Sequence, residues 1–281
     1  MSHALVTVTT PSGYTVPLTW LPGQAGAPVL LVQAALGVGA QFYSRLAAAL
    51  HERGLQVAVM EPRGQGASAL RPSRRQDWGF AEVLDNDLPA VLAWLREQDP
   101  GALLYLFGHS LGGHYAAITA GRFPNQVHGV IMVATGSPWW RAFQGDVRTM
   151  VRRLIRVIPA AGLLFGYYPG ERLGFGGREA RTVMKDWRRL AQSNRYRAHG
   201  LNKDLDAGIA TFTGPVLAVR LADDAFAPAA AVDAVTGKFR AARLTERVLD
   251  AEQLGDRADH FRWARQAGVV AALTGDWLAG V

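Results

Sequence analysis

The stretch Tyr105–Ala116, YLFGHSLGGHYA, decides how the whole chain reads. Gly108-His109-Ser110-Leu111-Gly112 is a G-x-S-x-G pentapeptide, with a strand-like apolar run before it and a helix-like run after it. A strand that turns this sharply into a helix leaves no room for side chains two positions before and two after the serine. That steric demand accounts for both glycines. The turn lifts the serine oxygen above the end of a sheet, at a helix N-terminus, where the Leu111 N–H can stabilise an oxyanion. On this reading Ser110 is a nucleophile; the alternative is an ordinary glycine-rich turn.

Working outward, the flanking segments alternate. Residues 4–10 and 14–20 flank Pro-Ser-Gly and read as a hairpin. APVLLVQA (27–34) and LQVAVM (55–60) are short continuous apolar runs, the pattern of strands buried on both faces. Between them, 41–54 reads as a helix with Phe42, Leu46, Ala49 and Leu50 on one face. Helix 80–98, strand 102–107, helix 111–123 and strand 126–134 follow. This predicts an α/β fold: a doubly wound, mostly parallel sheet with helices on both faces.

The alternation stops after ATGSPWW and resumes at GPVLAVR (214–220), followed by helix 228–239, strand 242–249 and a closing helix 260–278. The chain therefore divides into a core, 1–136 and 209–281, and an inserted helical lid, 137–208. The lid is aromatic, and Trp139, Trp140, Phe143 and Tyr167 are its candidate substrate-binding residues.

A serine nucleophile needs a base, and the base needs an orienting acid. In this fold they follow in the order Ser, Asp, His. VLAVRLADDAFAP ends a strand with Asp223 and Asp224, where an acid points into the crevice. Asp224 is preferred and Asp223 is the alternative. After Asp224 the chain holds one histidine, His260, which makes it the candidate base. His109 is confined within the turn, its ring directed away from the serine oxygen. His114, one helical turn on, reads as packing or pocket wall. The second oxyanion donor is expected in QAALGVGAQFY, from the backbone of Ala35 or Leu36.

Together these residues resemble the α/β-hydrolase superfamily, over nearly the whole chain. EPRGQGAS (61–68) looks like its D-x-R-G-x-G-x-S loop, with Glu61 in place of Asp. DDAFAP looks like its D-x-x-x-P acid loop, which supports Asp224. DHFRWAR looks like its histidine loop, whose usual form has Gly before the His. SPWWRAF and LFGYYPGERLGFG make the lid resemble a bacterial branch near the serine aminopeptidase and monoacylglycerol lipase-like hydrolases. The resemblance implies metal-free acyl hydrolysis and supplies no substrate; with no cofactor expected, the residues read as a serine hydrolase that cleaves a carboxylic ester or thioester through an acyl-enzyme. Peptide or amide hydrolysis and a non-catalytic binding role are the alternatives.

Composition narrows the rest. Hydrophobic residues make up 49% and charged residues 19%, a globular balance. The absence of cysteine excludes disulfides, thiolate zinc sites and a cysteine nucleophile. No apolar run reaches the ~18 residues of a membrane span. MSHALVTVTTPSGYTV lacks a basic region leading into an apolar one, so a cytoplasmic protein is expected. The net charge is +7, and Arg141–Lys203 alone holds 14 Lys/Arg against 4 Asp/Glu. That segment reads as solvated helix faces, or as an attraction for anionic substrates or an anionic surface such as a membrane. No nucleic-acid-binding motif is present. The expected partner is a small-molecule acyl substrate, apolar on the acyl side.

Overall fold

The computed structural model describes residues 4–281. Strands β1 (Ala4–Thr9) and β2 (Thr15–Leu21) form the expected hairpin, with Gly13 at φ 81° in its turn. Strands β3 (Val29–Gln33), β4 (Gln56–Met60), β5 (Leu104–His109), β6 (Gly129–Val133), β7 (Pro215–Leu221) and β8 (Arg243–Leu249) complete one eight-stranded sheet. Its order is β1-β2-β4-β3-β5-β6-β7-β8. β2 meets β1 and β4 antiparallel, and all later pairings are parallel. This is the α/β-hydrolase arrangement.

The apolar runs are continuous because both faces of the sheet are covered, and successive side chains point to opposite faces. Leu106, Val130 and Met132 enter one core with helices α2 (Leu88–Gln98) and α3 (Leu111–Arg122). Phe107, Ile131 and Val133 enter the other, with α1 (Ser44–His51) and α8 (Ala267–Leu278).

Three segments depart from the expected elements. The stretch 41–54 is not one helix. It opens with a 3-10 turn, Ala40–Tyr43, before α1. The tighter pitch of that turn places Tyr43 inside at 0% exposure and leaves Phe42 outside at 36%. Helix 80–98 contains a π turn, Val83–Asp87. Pro89 has no N–H to give the Asp85 carbonyl, and the wider turn accommodates that loss. His260 lies ahead of the closing helix, not in it. The Asp259 carboxylate accepts the N–H groups of Phe261 and Arg262. A 3-10 turn, Arg262–Gln266, then leads into α8.

Between β6 and β7 the chain leaves the sheet. It forms α4 (Gly145–Phe165), a small hairpin (Tyr167–Pro169 with Arg178–Ala180), α5 (Arg181–Ser193) and α6 (Leu205–Thr211). Val151, Leu154 and Ile158 of α4, at spacings of three and four, face inward. Helix α7 (Ala229–Thr236) follows β7. Among the described residues no helix is long and apolar enough to cross a membrane.

Candidate active site

Ser110 sits between β5 and α3 at φ 53°, ψ −115°, a strained backbone state for a residue with a side chain. Its surroundings enforce that state. A Cβ at Gly108 would stand 2.3 Å from the Gly113 nitrogen, and one at Gly112 would stand 2.0 Å from the Gln33 carbonyl oxygen. The Ser110 N–H donates to the Val133 carbonyl, tying the turn to the next strand.

His260 Nε2 lies 2.9 Å from Ser110 Oγ, and His260 Nδ1 lies 2.8 Å from Asp224 Oδ2. A carboxylate only accepts, so Nδ1 carries the proton and Nε2 is left to accept from the serine hydroxyl. The other Asp224 oxygen accepts from the N–H groups of Phe226 and Ala227, which holds the carboxylate in place. Asp223 faces elsewhere: its Oδ2 accepts the Ala258 N–H at 3.2 Å. The imidazole of His260 makes T-shaped contacts with the rings of Phe226 and Phe261.

The two histidines flanking Ser110 have other partners. His109 contacts Tyr43 and the His260 backbone. Burial, with His260 close by, holds its pKa well below the ordinary 6.5. Burial lowers His114 to about 4. Its neutral ring donates to the Gly136 carbonyl and accepts from the Tyr196 hydroxyl. Neither ring hydrogen-bonds the serine oxygen, which meets His260 instead.

Leu111 is the first residue of α3, so its N–H has no intrahelical acceptor. On the facing loop the two expected donors separate. The Ala35 N–H donates to the Tyr43 hydroxyl at 2.8 Å and is therefore spent. Among the described residues nothing accepts the Leu36 N–H. Leu36, not Ala35, has an amide available for an oxyanion.

A cavity of about 210 Å³ opens over Ser110 and His260, walled by Leu36, Leu111, Phe143, Met150, Val151, Phe175, Trp187 and Phe226. Of the four candidate aromatics in the inserted segment, only Phe143 lines it. Trp139 borders a separate polar cleft with Asn194 and Lys238. The Trp140 ring carries the guanidinium groups of Arg141 and Arg152. Tyr167 carries that of Arg178 at 4.1 Å. The Trp140 and Tyr167 rings serve as platforms for the basic residues around them. Phe175, Trp187, Met150 and Val151 went unnamed in the sequence, although the inward stripe of α4 marked Val151.

The sheet order and the strained serine turn define an α/β hydrolase. Residues 28–204, more than half of the chain, match the family described as serine aminopeptidase, S33, and the chain belongs to that family. Over 103 residues it is 33% identical to the probable esterase PIR7A of Oryza sativa subsp. indica, a match that spans 37% of this chain and 37% of that relative. Among solved structures, it superposes on a loop variant of the haloalkane dehalogenase DbeA from Bradyrhizobium elkanii with TM-score 0.70. That match has 16% identity and covers 100% of this chain and 98% of the other. It also superposes on Est1E from Butyrivibrio proteoclasticus with bound ferulic acid, at TM-score 0.65 and 15% identity, covering 98% of each chain. At such identities the likeness is one of fold.

Proposed function

We propose that the protein is a serine hydrolase that cleaves carboxylic esters or thioesters of apolar acyl groups through an acyl-enzyme. The observation that carries this reading is the unbroken line Ser110 Oγ, His260, Asp224, with contacts of 2.9 and 2.8 Å, at the floor of an apolar cavity.

Ser110 Oγ attacks the acyl carbon while His260 Nε2 takes its proton. His260 then gives that proton to the departing alcohol or thiol, and water repeats the sequence to release the acid. Asp224 holds the Nδ1–H and stabilises the imidazolium that forms. The N–H groups of Leu111 and Leu36 receive the developing oxyanion; such donors typically contribute about 3–4 kcal/mol each. Residues 137–208 act as a lid, whose Phe143, Val151 and Trp187 shape the acyl pocket.

The test uses p-nitrophenyl acetate and butyrate with a fluorophosphonate probe. Wild-type protein should cleave both esters and be labelled at Ser110, and Ser110→Ala should do neither. A folded Ser110→Ala variant with full esterase activity would falsify the assignment. The family's name as serine aminopeptidases favours a second reading, amide cleavage on the same residues. Aminoacyl-arylamides run beside the esters separate the two. A protein that cleaves neither and resists the probe is instead a binding protein on a hydrolase fold.

A further inference from the structure

His109 is fully enclosed, at 0% exposure, and takes no part in the chemistry above. Its Nδ1 lies 2.9 Å from the Tyr43 hydroxyl, and its Nε2 lies 2.9 Å from the His260 carbonyl oxygen. The Tyr43 hydroxyl in turn accepts the Ala35 N–H. The two ends of this chain fix every proton between them. A backbone N–H only donates, so the Tyr43 oxygen accepts from Ala35 and turns its own O–H toward His109 Nδ1. A carbonyl only accepts, so His109 Nε2 carries the ring proton and donates it to His260. A single neutral tautomer satisfies all four groups. The Trp263 indole N–H donates to the same His260 carbonyl at 3.1 Å.

We propose that His109 is a positioning residue: with Tyr43, it fastens both the Ala35–Leu36 loop and the His260 backbone to the nucleophile turn. This rests on the reading of Ser110 and His260 as nucleophile and base. The nucleophile, the oxyanion donor and the base come from loops after three different strands, β5, β3 and β8. Each loop alone has freedom to drift, and a displacement of about 1 Å in such machinery can cost on the order of a hundredfold in rate. The nucleophile turn is the tightest-packed member: a Cβ at Gly108 would meet the turn's own Gly112–Gly113 backbone, and one at Gly112 would meet the Gln33 backbone. His109 is part of that turn and reaches one loop through each ring nitrogen. By engaging the Ala35 amide, Tyr43 also leaves the next one, that of Leu36, as the free donor.

Steady-state kinetics on p-nitrophenyl butyrate, with fluorophosphonate labelling of Ser110, tests the proposal on four variants: His109→Phe, His109→Gln, Tyr43→Phe and the double Tyr43→Phe/His109→Phe. His109→Phe should lower kcat by about 10- to 100-fold with KM within about threefold. His109→Gln can place an N–H close to the original Nε2–H and should recover most of that loss. Tyr43→Phe should lower kcat by itself. The double variant should be no slower than His109→Phe, because both substitutions cut one chain. Wild-type kcat in a folded His109→Phe variant overturns the positioning role, as do a His109→Gln variant no better than His109→Phe and fully multiplying losses in the double variant. If His109→Phe does not fold, wild-type kcat in Tyr43→Phe overturns it equally. Wild-type turnover in His109→Phe sinks the positioning role alone. Absence of both ester cleavage and Ser110 labelling in the wild-type protein sinks the hydrolase reading and this proposal with it.

Discussion

Gly112 faces Gln33 so closely that a methyl group on its Cα would stand 2.0 Å from the Gln33 carbonyl oxygen. Helix α3 therefore crosses the end of β3 backbone against backbone. Gln33 cannot retreat, because its neighbours in the sheet are Met60 and Gly108. Gly112→Ala has to push α3 off the sheet, and overpacking of this kind costs about 1–3 kcal/mol or more. The expected result is a Tm lower by at least about 2 °C, or loss of soluble protein. A wild-type Tm would show that the turn has slack.

The adjacent aspartates make a sharper comparison. Asp224 meets His260 at 2.8 Å, whereas Asp223 accepts a backbone N–H from Ala258. Asp224→Asn should lower kcat on esters by about 10⁴-fold by favouring the wrong imidazole tautomer. Asp223→Asn keeps an amide oxygen for Ala258 and should stay within about tenfold of wild type. Equal losses in the two variants would leave Asp224 without its distinct role.

These comparisons mark where sequence reading reached its limit. The order of Ser110, Asp224 and His260 was legible because a tight turn, a strand end and a lone late histidine each leave a local trace. The strands were legible because burial on both faces produces unbroken apolar runs. The choice between Ala35 and Leu36 was not, since it depends on where Tyr43 points. That direction follows from a 3-10 turn in a stretch whose apolar spacing suited a plain helix. Trp139, Trp140 and Tyr167 misled for a related reason. Composition reports apolar area, but not whether a ring faces a cavity or carries an arginine.

The cavity wall makes a prediction about acyl length. Val151 is buried on α4 and lines the chamber above Ser110. Val151→Trp should fill part of that volume. With p-nitrophenyl esters from acetate to octanoate, kcat/KM for the longer chains should fall at least about tenfold relative to acetate. Trp140→Ala, outside the cavity, should leave the chain-length profile unchanged. A profile altered by Trp140→Ala and untouched by Val151→Trp would place the acyl group elsewhere.

Glu179 gives a pH dependence of stability. It is 6% exposed, and among the described residues it forms no ion pair. Its Oε1 accepts only the Gly177 N–H, beside a small cavity of about 50 Å³ behind Ala35 and Leu36. Burial raises its pKa from 4.5 to about 7. Between those two values the folded protein holds a proton that the unfolded chain has lost. The protonated side chain therefore contributes its full share of stability below about pH 4.5, and that share declines as pH rises through about 7. Glu179→Gln removes the decline. Its Tm should track wild type near pH 4.5 and exceed it by at least about 2 °C at pH 8, measured by calorimetry across that range. Parallel Tm curves for the two proteins would mean that Glu179 titrates as an ordinary exposed carboxylate.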